Sequence, residues 1–211
     1  TGYSMIRMLE EMDSNMPYSY RDIGYLDDLE KITLDKMKKY HDNMLNKSLI
    51  DIYVIGEFDN NIVDLIDKYF NFKTYKRPKV EQIITHDKMP NKIKTVKESD
   101  DTNQSKLSIG CKIGTLSEFE RNYVLTLYNL ILGGNSESKF FQVIREKNSL
   151  CYYVYSSLNK LDSLMLIKAG ISKDNYNKTI KLIKELMNEM VDGKFTNSDI
   201  DTAKENYVSL L

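Results

Sequence analysis

The pattern of hydrophobic and polar positions along the chain predicts several short strands. From Ser105 to Ile113 every second residue is apolar, which is typical of a strand buried on one face. Cys151 to Leu158 and Ser163 to Ile171 predict two more strands, because both are rich in β-forming residues and a polar turn at 159–162 joins them. Leu49 to Gly56 has a similar composition and predicts a short buried strand.

In the other segments apolar residues recur at three- and four-residue spacing, which predicts amphipathic helices. Two of these helices open with a capping box, Ser117 with Glu120 and Thr196 with Asp199. We expect the first of the two to lie centrally, since its apolar residues extend around most of its circumference. The predicted helices cover Tyr3–Asp13, Thr33–Leu45, Asp59–Tyr69, Glu118–Leu132, Glu137–Lys147, Asp174–Val191 and a last helix after Thr196.

The order of these elements favours the α+β class with a largely antiparallel sheet. Strands and helices do not alternate regularly, and two strands form a hairpin, so a parallel βαβ arrangement is excluded. The polar stretch from Lys73 to Asn103 contains Pro78 and Pro90 and is the longest predicted loop, with one edge strand at Val80 to Thr85.

Composition narrows the class of protein. Of 211 residues, 41% are hydrophobic and 29% charged, and the net charge is -1, as in ordinary globular domains. The balanced charge predicts neither a nucleic-acid partner nor a membrane surface partner, and no apolar run is long enough to span a membrane. Cys111 and Cys151 lie in apolar segments, where they are expected to be buried thiols in a reducing compartment, hence the cytoplasm.

Common catalytic motifs are missing from the sequence. His41 and His86 have no His or Glu partner at helical spacing, so we expect both to face solvent and not to ligate a metal. Gly133-Gly134 before a helix has two interpretations. It is either a phosphate-cradling turn or, as a single glycine pair favours, a tight connection between two packed helices.

One longer segment has a specific pattern. From Leu132 the chain reads Leu-Gly-Gly-Asn-Ser-Glu-Ser-Lys-Phe-Phe-Gln-Val-Ile-Arg-Glu-Lys-Asn-Ser-Leu-Cys-Tyr-Tyr. This resembles the second half-domain of the insulinase family of zinc metallopeptidases, also called pitrilysin-like, inverzincin or processing-peptidase-like. Flanking segments, from Pro17-Tyr18 to the closing helix at Thr196–Lys204, look similar too, so the resemblance covers nearly the whole chain. It looks closest to a bacterial subgroup whose members often lack the zinc motif.

The resemblance implies a metallohydrolase half-domain, mostly an antiparallel sheet with helices packed on one face. In the family, zinc is held by His-x-x-Glu-His and a distant Glu of the first half-domain, and the second half-domain closes over the substrate cleft. We therefore expect zinc in the full-length protein or a partner half-domain and none bound by this chain. By the same resemblance, Arg145 and Tyr152 are catalytic, and Gly133, Gly134 and Tyr153 bind substrate.

A fixed cation and a phenol donor suit the oxyanion that forms at a metal-bound carbonyl. The residues alone favour a plainer interpretation, in which Arg145 complements the end of its helix and Tyr152 packs. With the family pattern, we favour the catalytic roles of Arg145 and Tyr152 over this interpretation. If the alignment to the family pattern is shifted by one residue, Tyr153 takes the place of Tyr152.

We expect residues 1–30 to be the tail of a preceding half-domain and a linker, and residues 31–211 to be the C-terminal half-domain, truncated in its last helix. The expected partners are an N-terminal zinc-binding half-domain, on the same chain or another subunit, and a peptide substrate, with a dimer as one arrangement. Two functions remain open: the cleft-closing half of a peptidase, inactive alone, or a degenerate homologue that serves as partner or scaffold subunit.

Overall fold

A computed structural model of the chain describes residues 2–59, 61–70, 84–86, 89–99, 101–102 and 104–209. The chain divides into two compact units. The larger comprises residues 1–21 and 83–211, and the smaller comprises residues 22–82. The larger unit combines an antiparallel sheet with several helices, which confirms the predicted α+β class.

The described sheet has three strands, β1 (Ser105–Lys112), β2 (Cys151–Asn159) and β3 (Leu164–Ile171). Their order is β1-β3-β2, and β3 pairs antiparallel with both neighbours. Ile167 of β3 lies opposite Ile109 and Ser156, so these three side chains point to the same face of the sheet. Because β3 is central, most of its residues are buried. All three strands lie where the sequence predicted them, within one residue at each end.

Helices cover the face of the sheet towards which Ile167 points. A central helix runs through the contiguous segments Glu120–Val124, Leu125–Asn129 and Leu130–Gly134, of which the first and last are π-helical. The remaining helices on this face are Phe140–Lys147, which is also π-helical, Tyr176–Val191 and Asn197–Val208. They share one hydrophobic core with the sheet, centred on the fully buried residues Leu132, Phe140, Ile144, Ile167 and Ala169.

The central position predicted for the helix after Ser117 is correct only for its second half. Leu130, Ile131 and Leu132 are buried, whereas Phe119 and Tyr123 are exposed. The first half extends beyond the sheet, so apolar residues around its circumference find no core to enter. The helix predicted from Glu137 begins later, at Phe140.

An N-terminal helix, Gly2–Met12, lies against the opposite face of the sheet, at β1. The contact is close at Gly110, where a Cβ atom would lie 2.5 Å from the sulfur of Met8 and 2.6 Å from that of Met12, so that these side chains would have to shift. The Lys112 ammonium donates to an Asp13 carboxylate at 2.7 Å just beyond the helix. The alternating residues of β1 therefore face the hydrophobic core on one side of the sheet and this helix on the other.

The smaller unit is described as the helices Leu26–Leu29, Leu34–Lys47 and Ile62–Tyr69. The buried strand predicted at Leu49–Gly56 is wrong, because these residues form no strand and Ile55 is 97% exposed. β-Propensity becomes a strand only when a neighbouring strand satisfies its backbone groups, and the described residues provide none here. The edge strand predicted at residues 80–85 lies outside the described residues except for Ile84 and Thr85, which are not in a strand.

Two further observations concern the described part of the larger unit. His86 is buried, contrary to prediction, with 4% exposure. Its ring lies 6.2 Å from that of Tyr18, and its Nε2 is 2.9 Å from the carbonyl oxygen of Asp162. These contacts within a polar segment explain why the sequence did not indicate its burial. In addition, no helix of the described ranges has the length and apolarity needed to cross a bilayer.

Candidate functional site

Arg145 lies in the last turn of the helix Phe140–Lys147, where the sequence predicted it. Two residues of this helix, Phe140 and Ile144, are fully buried and fix its position on the sheet. Ser149 then adopts a left-handed backbone (φ 51°), which ends the helix, and its N–H donates to the Arg145 carbonyl at 2.9 Å. The backbone that carries Arg145 is therefore firmly held.

The Arg145 guanidinium is held from the side and open at its end. Its Cζ lies 4.5 Å from the ring centroid of Phe141, one helical turn earlier, which is a cation–π contact. Its Nη1 is 3.4 Å from a carboxylate oxygen of Glu146, and 38% of the side chain is exposed. A guanidinium has five N–H donors, so this group retains donors for a carbonyl, carboxylate or oxyanion from outside the chain.

Tyr152 occupies a β-bulge at the start of β2. Cys151 pairs with Ile171 and Tyr153 with Gly170, so Tyr152 is the extra residue between them. Bulges redirect a side chain away from the regular alternation of the strand. Tyr152 is 77% exposed, and its hydroxyl bonds to no side chain that the structure describes. The phenol is therefore available to a ligand.

Tyr153, the alternative to Tyr152, is placed differently. Its side chain lies on the sheet face that bears Gly170, and a Cβ atom at Gly170 would be 2.5 Å from the Tyr153 ring. The ring is also 5.9 Å from that of Tyr155, and Lys106 Nζ lies 5.5 Å from its centroid. Tyr153 is thus packed on the sheet, and Tyr152 is the more accessible of the two phenols. The substrate-binding role predicted for Tyr153 stays a prediction.

Arg145 lies in the helix that precedes β2, and Tyr152 lies at the beginning of β2. No hydrogen bond or ring contact joins them in the described residues, and their side-by-side placement stays a prediction. Cys151 provides an electrostatic link. Burial raises the pKa of its thiol to about 11, and the positive charge of Arg145 opposes part of that rise. The guanidinium therefore acts on the residue adjacent to Tyr152.

Gly133 and Gly134 end the central helix and have unequal surroundings. Gly133 is buried, and a Cβ atom there would lie 2.6 Å from Phe140 and 2.6 Å from the Ser156 hydroxyl. Gly134 is exposed. Gly133 therefore allows the central helix to approach β2 closely. That either glycine binds substrate stays a prediction.

In the part of the chain that the structure describes, no group of three or more His, Cys, Asp and Glu side chains is suited to a metal ion. His41 is exposed beside Asp42, at 3.5 Å, and the His86 ring bonds to a backbone carbonyl. The two histidines therefore do not come together as metal ligands.

Sequence reasoning missed Phe141, which positions Arg145. The four-residue spacing of an aromatic and a cation on one helix was the available signal, since such residues are neighbours on a helical surface. Asn148 and Asn175 were missed as well. Their side-chain amides donate to the Val143 carbonyl at 2.7 Å and the Leu150 carbonyl at 3.1 Å, and so fix the loop between Arg145 and Tyr152.

Comparison with known proteins places this geometry in a family. The model of the family described as "Peptidase M16 inactive domain" matches residues 31–207. The probable inactive metalloprotease YmfF of Bacillus subtilis is 32% identical over 204 residues, which cover 96% of this chain and 47% of that protein. The uncharacterized zinc protease YmxG of Bacillus subtilis is 24% identical over 193 residues, which cover 90% of this chain and 46% of that protein.

A solved structure has the same fold. The crystal structure of a conserved protein from Enterococcus faecalis superimposes with a TM-score of 0.83 at 23% identity, covering 98% of this chain and 48% of that one. The chain spans about half the length of the curated relatives that it matches. The resemblance to the second half-domain of insulinase-like metallopeptidases is thereby confirmed: the chain belongs to the family of peptidase M16 inactive domains.

Proposed function

We propose that this domain is the cleft-closing half of an insulinase-like zinc metallopeptidase and contributes Arg145 and Tyr152 to peptide binding and turnover. The zinc and its ligands belong to an N-terminal half-domain, on the same polypeptide or on a partner subunit. The observation that supports this most is the open guanidinium of Arg145 on a rigid helix end, one short loop from the exposed phenol of Tyr152.

The two groups suit a peptide carbonyl whose oxygen gains negative charge. A guanidinium donates hydrogen bonds without losing its own proton, and a phenol adds a neutral donor from a second direction. The stacked Phe141 ring and the capped loop restrict the motion of Arg145, so little conformational entropy is lost when it binds. The metal's role, activation of the attacking water, lies outside this chain.

A second candidate is a non-catalytic homologue that binds peptides or a partner subunit without cleaving them. The name of the relative at 32% identity, a probable inactive metalloprotease, favours it, as does the description of the family. In that case Arg145 and Tyr152 would still hold a polypeptide, but no turnover would depend on them.

The test uses the full-length protein with its N-terminal half. Arg145→Ala and Tyr152→Phe should each lower kcat for peptide hydrolysis by about 100-fold, the usual loss for one oxyanion donor. Lys147→Ala is the matched control, because Lys147 is an exposed cation in the same helical turn. Circular dichroism and urea unfolding of each variant separate loss of activity from loss of fold.

The same variants distinguish the two candidates. If the parent protein cleaves nothing with zinc present, yet binds peptide in a way that Arg145→Ala weakens and Lys147→Ala does not, the domain is a non-catalytic binder. If neither hydrolysis nor binding responds to Arg145→Ala or Tyr152→Phe, both proposals are wrong.

A further inference from the structure

A pocket lies at the other end of the sheet from Tyr152. Here β1 ends, the β2–β3 hairpin turns and the central helix begins. The turn is held in place by backbone hydrogen bonds, from Ile113 N–H to the Ser163 carbonyl at 2.8 Å and from Ile84 N–H to the Leu161 carbonyl at 2.9 Å. The walls of the pocket are formed by Thr85, Ile113–Leu116, Arg121, Leu125, Lys160 and Ser163.

Two cations line this pocket without a carboxylate partner. Arg121 makes no ion pair or side-chain hydrogen bond with any residue that the structure describes. Lys160 donates only to the backbone carbonyl of Asn122, at 3.0 Å. Other partly buried cations of the larger unit do have carboxylate partners, as Arg21 has Glu10 at 2.5 Å and Lys112 has Asp13 at 2.7 Å. Arg121 and Lys160 share one pocket, and no carboxylate of the described residues compensates their charge.

The two cations repel each other across the pocket. Burial lowers the pKa of Lys160, and the positive charge of Arg121 lowers it further. Like-charged groups repel, and an anion between them would remove that repulsion. Thr85 also lines the pocket, and its hydroxyl bonds to no residue that the structure describes, so it is a further donor for an anion.

The rest of the lining indicates which anion fits. Ile113, Leu116 and Leu125 provide apolar side chains beside the two cations. Inorganic anions gain nothing from such a surface, whereas a carboxylate next to an aliphatic group gains from both parts of it. We infer that this pocket binds a carboxylate attached to an apolar group, as at the C-terminus of a polypeptide that ends in an aliphatic residue. The inference does not depend on the function proposed for Arg145 and Tyr152.

The experiment is a nuclear magnetic resonance titration of the 211-residue chain with N-acetyl-leucine. N-acetyl-leucinamide, which lacks the charge, and inorganic phosphate, which lacks the apolar part, are titrated in parallel. We expect N-acetyl-leucine to bind in the millimolar range and to shift the amide signals of Gly114, Thr115, Leu116 and Ser163. The amide and phosphate should bind at least about tenfold more weakly, the loss expected when one charge-assisted hydrogen bond is removed.

Variants connect the binding to the two cations. Arg121→Gln and Lys160→Gln should each raise the Kd for N-acetyl-leucine about tenfold. Arg121→Lys retains the charge and should stay within about threefold of the parent. Lys184→Gln, an exposed lysine on the helix Tyr176–Val191, is the remote control and should change nothing. Equal binding of the amide, tighter binding of phosphate, shifts centred elsewhere, or an unchanged Kd in both Gln variants would each overturn the inference.

Discussion

At the scale of single residues, Cys151 reports on the surroundings of Arg145 and Tyr152. Folding raises the pKa of this thiol from an ordinary 9.0 to about 11, chiefly by burial. The protonated thiol is therefore favoured in the folded state. This contribution to stability is complete below about pH 9 and is lost as the pH rises through about 11. Only the thiolate reacts with alkylating reagents, so alkylation measures the pKa directly.

We predict that iodoacetamide alkylates Cys151 slowly at pH 8 and markedly faster as the pH approaches 11. Arg145→Gln should slow the reaction at a fixed pH by roughly two- to threefold, because removing a nearby positive charge raises the pKa again. Mass spectrometry of the peptide that contains Cys151 distinguishes it from Cys111. Lys147→Gln is the control, and an equal rate in Arg145→Gln and the parent would show that the guanidinium is not near the thiol.

At the scale of elements, the contact between the central helix and β2 depends on a glycine. The ideal Cβ position at Gly133 lies 2.6 Å from the Phe140 ring and 3.0 Å from the backbone nitrogen of Ser156. A strand backbone cannot move aside as the end of a flexible side chain can. A buried polar pair sits at the same contact, because the Ser156 hydroxyl donates to the Asn129 amide oxygen at 2.7 Å. Helix and strand must therefore approach closely for this hydrogen bond to form.

Gly133→Ala should lower the free energy of unfolding by about 1–3 kcal/mol, the usual cost of inserting a methyl group into a packed core. Urea unfolding followed by circular dichroism measures the change. Gly2→Ala should be nearly neutral, since a Cβ atom there meets nothing within 4 Å. The tight packing described for Gly133 would be refuted if both variants unfolded at the same urea concentration.

The elements differ in how far the sequence predicted them. The strand at Ser105–Ile113 and the two capping boxes are set by residues close together in sequence, and the structure contains all three. In the second capping box, Thr196 and Asp199 exchange hydrogen bonds at 2.7 and 3.1 Å. Leu49–Gly56 has strand composition but no described pairing partner, which no local pattern can indicate. The helix Gly2–Met12 was predicted, but its packing against β1 was not, because the contact of Gly110 with Met8 is visible only in the folded chain.

The candidate sites also differ in how far the sequence predicted them. Arg145 and Tyr152 were predicted from a family pattern that is contiguous in sequence. Their exposure and the bulge at Tyr152 required coordinates. Arg121 and Lys160 come from a helix start and a hairpin turn that are distant in sequence, so only the fold brings them to one pocket.

At the scale of the whole molecule, the chain spans about half the length of the relatives that it matches. Our proposal pairs it with an N-terminal half-domain across a cleft that contains Arg145 and Tyr152. Tyr152 is 77% exposed in this chain, so pairing should reduce its accessibility substantially.

We predict that acetylation of Tyr152 by N-acetylimidazole is several-fold slower in the full-length protein than in the 211-residue chain, because the second half-domain limits access of the reagent. Peptide mapping by mass spectrometry quantifies the reaction. Tyr69, on the helix Ile62–Tyr69 and 69% exposed, provides a reference for the general reactivity of tyrosines. Equal acetylation of Tyr152 in both proteins would contradict the pairing across this cleft.

The bulge at the start of β2 has an evolutionary consequence. Tyr152 is the extra residue of the bulge and pairs with no residue of β3. A substitution there therefore leaves the buried and exposed side chains of β2 in their places. Selection on chemistry and selection on foldability can therefore act on this position independently. A homologue that no longer cleaves peptides can accept substitutions at position 152 and keep the fold. Active and inactive homologues can therefore share one architecture.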